Sequence, residues 1–548
     1  MNVAQTIASG IEKVGNKTVY GLVGVSILDF LDAVRDTSLR YISTRHEQTA
    51  VSMADAEGRL TKRPGVAVVH AGPGFLNSVT GIAIAYKDSS PLLVISGSVK
   101  RRMKGLDSWL EVDQSSIARP ITKAVITLDK PVNTASAFSQ AYSIASSPPF
   151  GPVLLEVPED IWYSEADGKE ISVDIKQVPM AESEMIAKVL KLIEESERPM
   201  IIAGGGINSE EGSKYLLEIS ERYSIPVAIT GNARGVFPED HTLYLGRVGF
   251  GGGSIVADFA LESADLILAI GGGISDVTTY GYLSSIRGKK VVVDLDPIAE
   301  KKPIFLNLHY YCDGLSFLKS LLQDASSTKH SRDWLNTLKQ KMLQWKRMLD
   351  LSASRTEEGY VNPSKFFALL NQAIPKDVIL TAGQGVHILY AYDYIQLHRP
   401  NSFLAATNLG AMGFALPAAL GAKVMHPERE VISILGDGEF LMTFHDLETV
   451  AREKIAAKFI IVNDNSYRVL YMRQKLQKMG RIIGTTHGNP DITKIGEAFG
   501  IPSLSINSDR DIDDAIDFLL GEQSQRILEL KINPEEMPPL NLDLSSRF

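Results

Sequence analysis

Short apolar runs alternate with longer stretches of helical periodicity along this chain, and they do so in three successive blocks. In the first, residues 1–165, apolar runs fall at 18–23, 65–70, 91–96 and 153–157. In the second, 181–325, they fall at 200–203, 226–229, 266–270 and 290–294. In the third, 356–548, they fall at 378–381, 431–435, 459–462 and 527–530. Strands separated by helices predict parallel sheets. The expected fold is therefore α/β, with three doubly wound parallel-sheet domains. A polar stretch at 164–177 reads as a linker, and the charged, helix-patterned 326–359 reads as a connector. The tail from Pro534, with Pro538 and Pro539, reads as an extension along the surface.

Size and composition narrow the function classes. A chain of 548 residues exceeds what one core can hold. Hydrophobic content of 44% and charged content of 22% fit a globular protein. The net charge of -9 argues against a nucleic-acid partner. Lys100, Arg101, Arg102 and Lys104 are a local exception, read first as a solvated loop and second as a seat for an anionic substrate tail. The single cysteine, Cys312, excludes an intramolecular disulfide, fits a reducing compartment and reads as a core filler. No basic leader followed by a long apolar run opens the chain, and no 18-residue apolar segment occurs in it. The expectation is a cytoplasmic enzyme with no membrane partner.

The richest chemistry lies in the third block. The run Val431-Ile-Ser-Ile-Leu ends in Gly436-Asp437-Gly438-Glu439. About a helix's worth of residues, 440–453, follows, and the run 459–462 then ends in Asn463-Asp464-Asn465-Ser466. A strand–helix–strand unit places both polar tips side by side at the carboxyl ends of adjacent parallel strands. Two carboxylates and a backbone carbonyl then converge, which suits a hard divalent cation, and the glycines leave room for a phosphate.

Weaker signals sit elsewhere. In Arg45-His46-Glu47-Gln48, Glu47 stands where a strand hands over to a helix, a position that a carboxylate favours simply as a cap. Gly72-Pro73-Gly74 follows a strand and reads by default as a turn. Gly204-Gly205-Gly206 and Gly271-Gly272-Gly273 read as structural turns first and as a nucleotide cradle second, because neither completes a dinucleotide fingerprint. Gly383, Gly385 and His387 form a glycine-rich turn whose histidine could serve a phosphate or equally be a plain loop histidine. Met412 sits among Gly410, Ala411 and Gly413 and reads by default as a core methionine.

Taken together these segments resemble the thiamin-diphosphate-dependent enzymes of the acetolactate synthase type. The matching stretches include Arg45-His-Glu-Gln, Gly72-Pro-Gly, Arg119-Pro-Ile-Thr-Lys, Gly151-Pro-Val, Leu409-Gly-Ala-Met-Gly-Phe-Ala-Leu-Pro-Ala-Ala and Gly436-Asp-Gly to Asn463-Asp. The resemblance is collinear over nearly the whole chain. It implies pyrimidine-binding, central and diphosphate-binding domains. It implies that Asp437, Asp464 and the Ser466 carbonyl hold Mg²⁺, and that Gly383, Gly385, His387, Gly436 and Gly438 line the diphosphate. Met412 would wedge beneath the cofactor, the Gly410 carbonyl would meet its amino group, and Glu47 would bond to its pyrimidine nitrogen as the catalytic residue. The implied chemistry is decarboxylation of a 2-oxo acid and carboligation. Active sites would lie between subunits of a homodimer or homotetramer.

The chain departs from that pattern at four places. Asp464 stands where the family usually has Asn, and Leu110 stands where the synthases have Gln. Arg473 replaces a substrate-gating Trp and, with Lys475, would favour an anionic or acyl-CoA substrate. Residues 271–276 replace the arginine loop that binds FAD, so FAD is not expected. The start at 20–25 is closer to the 2-hydroxyacyl-CoA lyase and oxalyl-CoA decarboxylase branch, which is the alternative enzyme class. A nucleotide-binding regulatory protein that has lost catalysis is the non-enzymatic alternative, and Glu47 argues against it. No segment for a regulatory subunit is legible.

Overall fold

Strands buried on both faces need continuous apolar sequence, and the chain folds into three all-parallel six-stranded sheets flanked by helices. The computed structural model describes residues 1–249, 251–272, 274–282, 286–296, 301–323, 332–488 and 490–539. Gly273 and the end of the tail lie outside them. The N-terminal sheet runs, edge to edge, Arg40–Ser43, Thr18–Gly21, Gly65–Val69, Leu92–Ser98, Pro152–Pro158 and Ala124–Thr127. The C-terminal sheet repeats this succession with Phe403–Ala405, Ile379–Ala382, Val431–Gly436, Lys458–Asn463, Arg526–Lys531 and Ser503–Ile506. The central sheet runs Leu308–Tyr310, Lys289–Val293, Leu266–Ile270, Pro199–Ala203, Val227–Ile229 and Tyr244–Arg247, the strand order of dinucleotide-binding folds.

Each sheet has a switch point where the connections from two adjacent strands leave in opposite directions, and ligands bind outside the carboxyl ends of the strands flanking it. In the C-terminal sheet those strands are Ile379–Ala382 and Val431–Gly436, which lead into Gly383 and Asp437. In the N-terminal sheet they are Thr18–Gly21 and Gly65–Val69, which lead toward Ser26 and His70. Topology thus aims Gly383 and Asp437 at one crevice and Ser26 and His70 at another.

The first and third domains share one core. Helix Glu47–Thr61 lies on helix Ala415–Met425, with Val51, Met53, Leu416, Ala419 and Leu420 buried in the same cluster. A Cβ on Gly421 would stand 2.5 Å from the Met53 carbonyl, so the crossing needs glycine there. The Arg59 guanidinium reaches from the first domain to the Ala405 carbonyl at 2.9 Å and lies over the Phe414 ring. Asp88 ties all three domains. Its Oδ1 accepts from Asn232 Nδ2 at 3.0 Å and from the Asn408 N–H at 3.1 Å, and its Oδ2 accepts from Arg59. Between the second and third domains, helix Arg332–Ala353 occupies part of the stretch expected to be a helical connector.

Candidate functional site

Gly436 pairs with Val462 across parallel strands, so Asp437 and Asp464 leave the sheet at the same edge. Asp437 opens helix Asp437–Thr443, which begins at the motif itself, and a second helix, Leu447–Glu453, completes the crossover. Both aspartates are buried. Asp464 Oδ1 accepts from the Ser466 N–H at 2.9 Å and from its hydroxyl at 2.7 Å. Asp464 Oδ2 accepts from Arg468 Nη1 at 2.8 Å. A segment unremarked in the sequence folds across this tip: the Tyr467 N–H donates to the Thr485 carbonyl and the His487 N–H donates to the Asn465 carbonyl. His487 Nε2 comes to 3.9 Å from Asp437 Oδ2. A Cβ on Gly438 would stand 2.5 Å from the Tyr467 ring, so the second glycine of the motif admits that tyrosine. Among the described residues no group of three or more His, Cys, Asp or Glu side chains converges. A cation held by two carboxylates and a carbonyl therefore needs oxygen donors from a bound group.

The glycine turn 383–387 lies against this tip. His387 opens helix His387–Tyr394, and its Nδ1 would be 2.9 Å from a Cβ on Gly436. Burial pushes its pKa down to about 4, which keeps the imidazole neutral. Its Nε2 is buried without a hydrogen-bond partner. An orphaned polar atom beside the glycines of two loops fits a bound polar group such as a diphosphate. Gly410 and Gly413 adopt φ of +68° and +86°, which shapes the loop around half-buried Met412.

Glu439 organises these loops, a role the sequence did not reveal. Its side chain is fully buried. Oε2 accepts from the Gln384 N–H at 2.9 Å. Oε1 accepts from the N–H groups of Gly413, Phe414 and Ala415 at 3.0, 3.2 and 3.3 Å. Burial pushes its pKa up to about 7, opposed by those backbone donors. A Cβ on Gly383 would overlap the carboxylate, so that glycine serves the Glu439 contact as well as any ligand.

Glu47 is buried and is the first residue of its helix; the cap is His46, whose ring accepts from the Gln48 N–H at 3.2 Å. Asn77 Nδ2 donates to Glu47 Oε2 at 3.0 Å. The Gly72-Pro73-Gly74 turn starts helix Pro73–Lys87, and a Cβ on Gly74 would lie 3.0 Å from Glu47 Oε1 and 2.9 Å from the His70 Cβ. His70 is thus a neighbour of Glu47 that the sequence left unassigned. Its Nδ1 accepts from the Ser26 N–H at 3.3 Å and lies 2.8 Å from Ser26 Oγ, which itself accepts from the Ala71 N–H at 2.9 Å. Because the Ser26 N–H points at Nδ1, the neutral ring carries its proton on Nε2. Burial lowers the His70 pKa, and the Glu47 charge opposes that shift. Gln48 Nε2 donates to the Gly413 carbonyl at 3.4 Å, which links the Glu47 helix to the loop held by Glu439.

Comparison with known proteins decides the family. Residues 1–117 match the thiamine pyrophosphate enzyme N-terminal TPP binding domain, 186–321 the central domain and 383–529 the C-terminal TPP binding domain. The chain belongs to the thiamine pyrophosphate enzymes of the acetolactate synthase type. It is 33% identical to a probable acetolactate synthase large subunit of Methanocaldococcus jannaschii, over 98% of this chain and 93% of the relative. It is 30% identical to the acetolactate synthase large subunit of Corynebacterium glutamicum, over 96% and 88%. It is 31% identical to an acetolactate synthase of Mycobacterium bovis, over 95% and 88%. Thiamine pyrophosphate is thiamin diphosphate, so the expected family and α/β architecture both hold.

Within this thiamine pyrophosphate enzyme the remaining sequence signals resolve into structure. Lys100 pairs with Glu159, Arg101 with Asp160 and Lys104 with Glu156, so much of the basic run is neutralised locally. Lys475 pairs with Glu535 in the C-terminal segment, and Arg473 Nε donates to Gln477. Trp109 is exposed, while the Leu110 carbonyl lies where a Cβ on Gly72 would be 2.5 Å away. In the central domain the Gly206 N–H donates to the Gly271 carbonyl at 2.9 Å, and a Cβ on Gly204 would overlap that carbonyl. Those glycines pack two loops together, as structural turns do. Cys312 is buried with Sγ 3.7 Å from Met185 Sδ, and burial pushes its pKa up to about 11, as suits a core filler.

Proposed function

We propose that this protein is a Mg²⁺-dependent acetolactate synthase that decarboxylates a 2-oxo acid, pyruvate first, and joins the remaining fragment to a second 2-oxo acid. The observation that carries this is the near full-length likeness to acetolactate synthases, and the presence of Glu47, Met412 and Asp437 in the matching motifs supports it. Bound thiamin diphosphate supplies the electron sink for decarboxylation. Asp437, Asp464 and the Ser466 carbonyl would hold Mg²⁺. Gly383, Gly385, His387, Gly436 and Gly438 would line the diphosphate, with the orphaned His387 Nε2 meeting it. Met412 would support the cofactor from below, and the Gly410 carbonyl would accept from its amino group. Glu47 would exchange a proton at the pyrimidine nitrogen. His70, a neighbour of Glu47 with its proton on Nε2, would hold or deliver a proton during the reaction.

The substrate in this reading is a small 2-oxo acid, in keeping with the acetolactate synthases that this chain resembles, and the central glycines that an adenine nucleotide would approach pack against each other. FAD is not part of the proposal. A homodimer or homotetramer with sites between subunits and a cytoplasmic location complete it. Among the described residues no helix is long and apolar enough to cross a membrane.

The test is turnover of pyruvate with added thiamin diphosphate and Mg²⁺, scoring acetolactate, acetaldehyde and CO2 together, with Glu47→Gln as control. Acetolactate that disappears in the control supports the proposal. A folded, cofactor-loaded protein that leaves pyruvate untouched overturns it.

A further inference from the structure

Helix Arg468–Gln477 opens with an arginine, and Arg468 is buried. The first turn of a helix carries unpaired N–H groups and a positive potential, so a buried cation is locally mismatched there. Its guanidinium is also incompletely satisfied: Nε and Nη2 have no hydrogen-bond partner. With those two nitrogens unpaired, the guanidinium is held through Nη1, and the opposite charge it meets there is Asp464. Arg468 Nη1 donates to Asp464 Oδ2 at 2.8 Å and to the Asn533 carbonyl at 2.9 Å. Both members of the pair are more than nine-tenths buried, at 4% and 7% side-chain exposure.

The charge at the tip explains the pairing. Asp437 and Asp464 stand buried at the ends of adjacent strands. One divalent cation cannot neutralise two carboxylates and a diphosphate together. A buried cation behind Asp464 lowers the excess, in a setting where water screens little. Asp464 keeps the capacity to face a metal through Oδ2, which accepts one donor and has a second lone pair, whereas Oδ1 already accepts two.

We propose that Arg468 is a positioning residue of the cation–diphosphate site: by neutralising and orienting Asp464, it lets a second carboxylate stand at the tip without repelling the cofactor. This rests on the thiamin diphosphate assignment above. A purely structural role is the rival, because Arg468 also holds the C-terminal segment through Asn533.

Binding of thiamin diphosphate at fixed Mg²⁺, measured by titration calorimetry, separates the two in a double-mutant cycle. Arg468→Gln is expected to weaken binding about tenfold or more, while Asp464→Asn stays within about threefold of wild type. The double variant is expected to return to within about threefold of wild type, since an amide at 464 needs no counter-charge. Where Arg468→Gln does not fold, Arg468→Lys keeps the charge without the fork and is expected to bind within about fivefold. A double variant as weak as Arg468→Gln, or an Arg468→Gln that binds like wild type, overturns the proposal, as does an Arg468→Lys that loses binding. Wild-type protein that binds no thiamin diphosphate overturns the cofactor assignment as well.

Discussion

Glu439 Oε1 accepts the backbone N–H of Gly413 at 3.0 Å. One buried carboxylate thereby fixes the loop after Met412, while its second oxygen fixes the glycine turn at Gln384. The two loops come from different strands, and Glu439 adds to the direct ties that Gln384 Nε2 makes to the Ala406 carbonyl and Thr381 Oγ1 makes to the Ala415 carbonyl. Glu439→Ala would leave buried N–H groups unpaired, at a cost of roughly 1–3 kcal/mol for each group that water cannot reach. The expected result is a lower melting temperature and thiamin diphosphate affinity reduced about tenfold or more. Glu439→Gln should fall between, since its amide oxygen can still serve the Gly413–Ala415 donors. Unchanged affinity in Glu439→Ala, read by calorimetry, would refute the role.

Glu47 is expected to matter for turnover and little for binding. Its helix is packed by residues behind it and capped by His46. Glu47→Gln keeps size and hydrogen bonding to Asn77 but cannot exchange a proton. We expect acetolactate formation to fall about a hundredfold or more with cofactor affinity within a few fold. A variant that fails to bind the cofactor would show a structural role instead.

The Ser26–His70 pair makes a pH-dependent prediction. Donors to Nδ1 favour the neutral ring, so their loss raises the His70 pKa. Ser26→Ala should move the acid limb of the kcat profile to higher pH, and His70→Gln should lower kcat about tenfold to a hundredfold. Coincident profiles for wild type and Ser26→Ala would remove His70 from the reaction.

His387 predicts how stability of the cofactor-free protein varies with pH. An unfolded histidine titrates near 6.5, whereas burial brings folded His387 down to about 4. Between those values the unfolded chain binds a proton that the folded chain does not. Stability on this account is highest above the unfolded value and falls as pH drops toward 4, by at most about 3 kcal/mol. His387→Gln removes this contribution. Melting temperatures of the two proteins should converge as pH falls from neutrality, and a constant difference would contradict the assignment.

Hydrophobic patterning by itself determined the three-domain α/β plan and the interior of each sheet. The twelve apolar runs correspond to the inner four strands of every sheet, and the edges were not among them. Edge strands such as Ala124–Thr127 and Leu308–Tyr310 are half-exposed along their length, so they carry no continuous apolar signature. The Asp437 and Asp464 tips were legible because a strand–helix–strand unit fixes its two ends locally. What sequence could not give were pairings whose members lie far apart along the chain. Ser26 finds His70, Glu439 gathers Gln384 and Gly413, and His487 folds back toward Asp437 only once distant segments have packed. Buried polar groups must find partners wherever the tertiary fold brings them, and periodicity along the chain records which face is buried but not what meets it there.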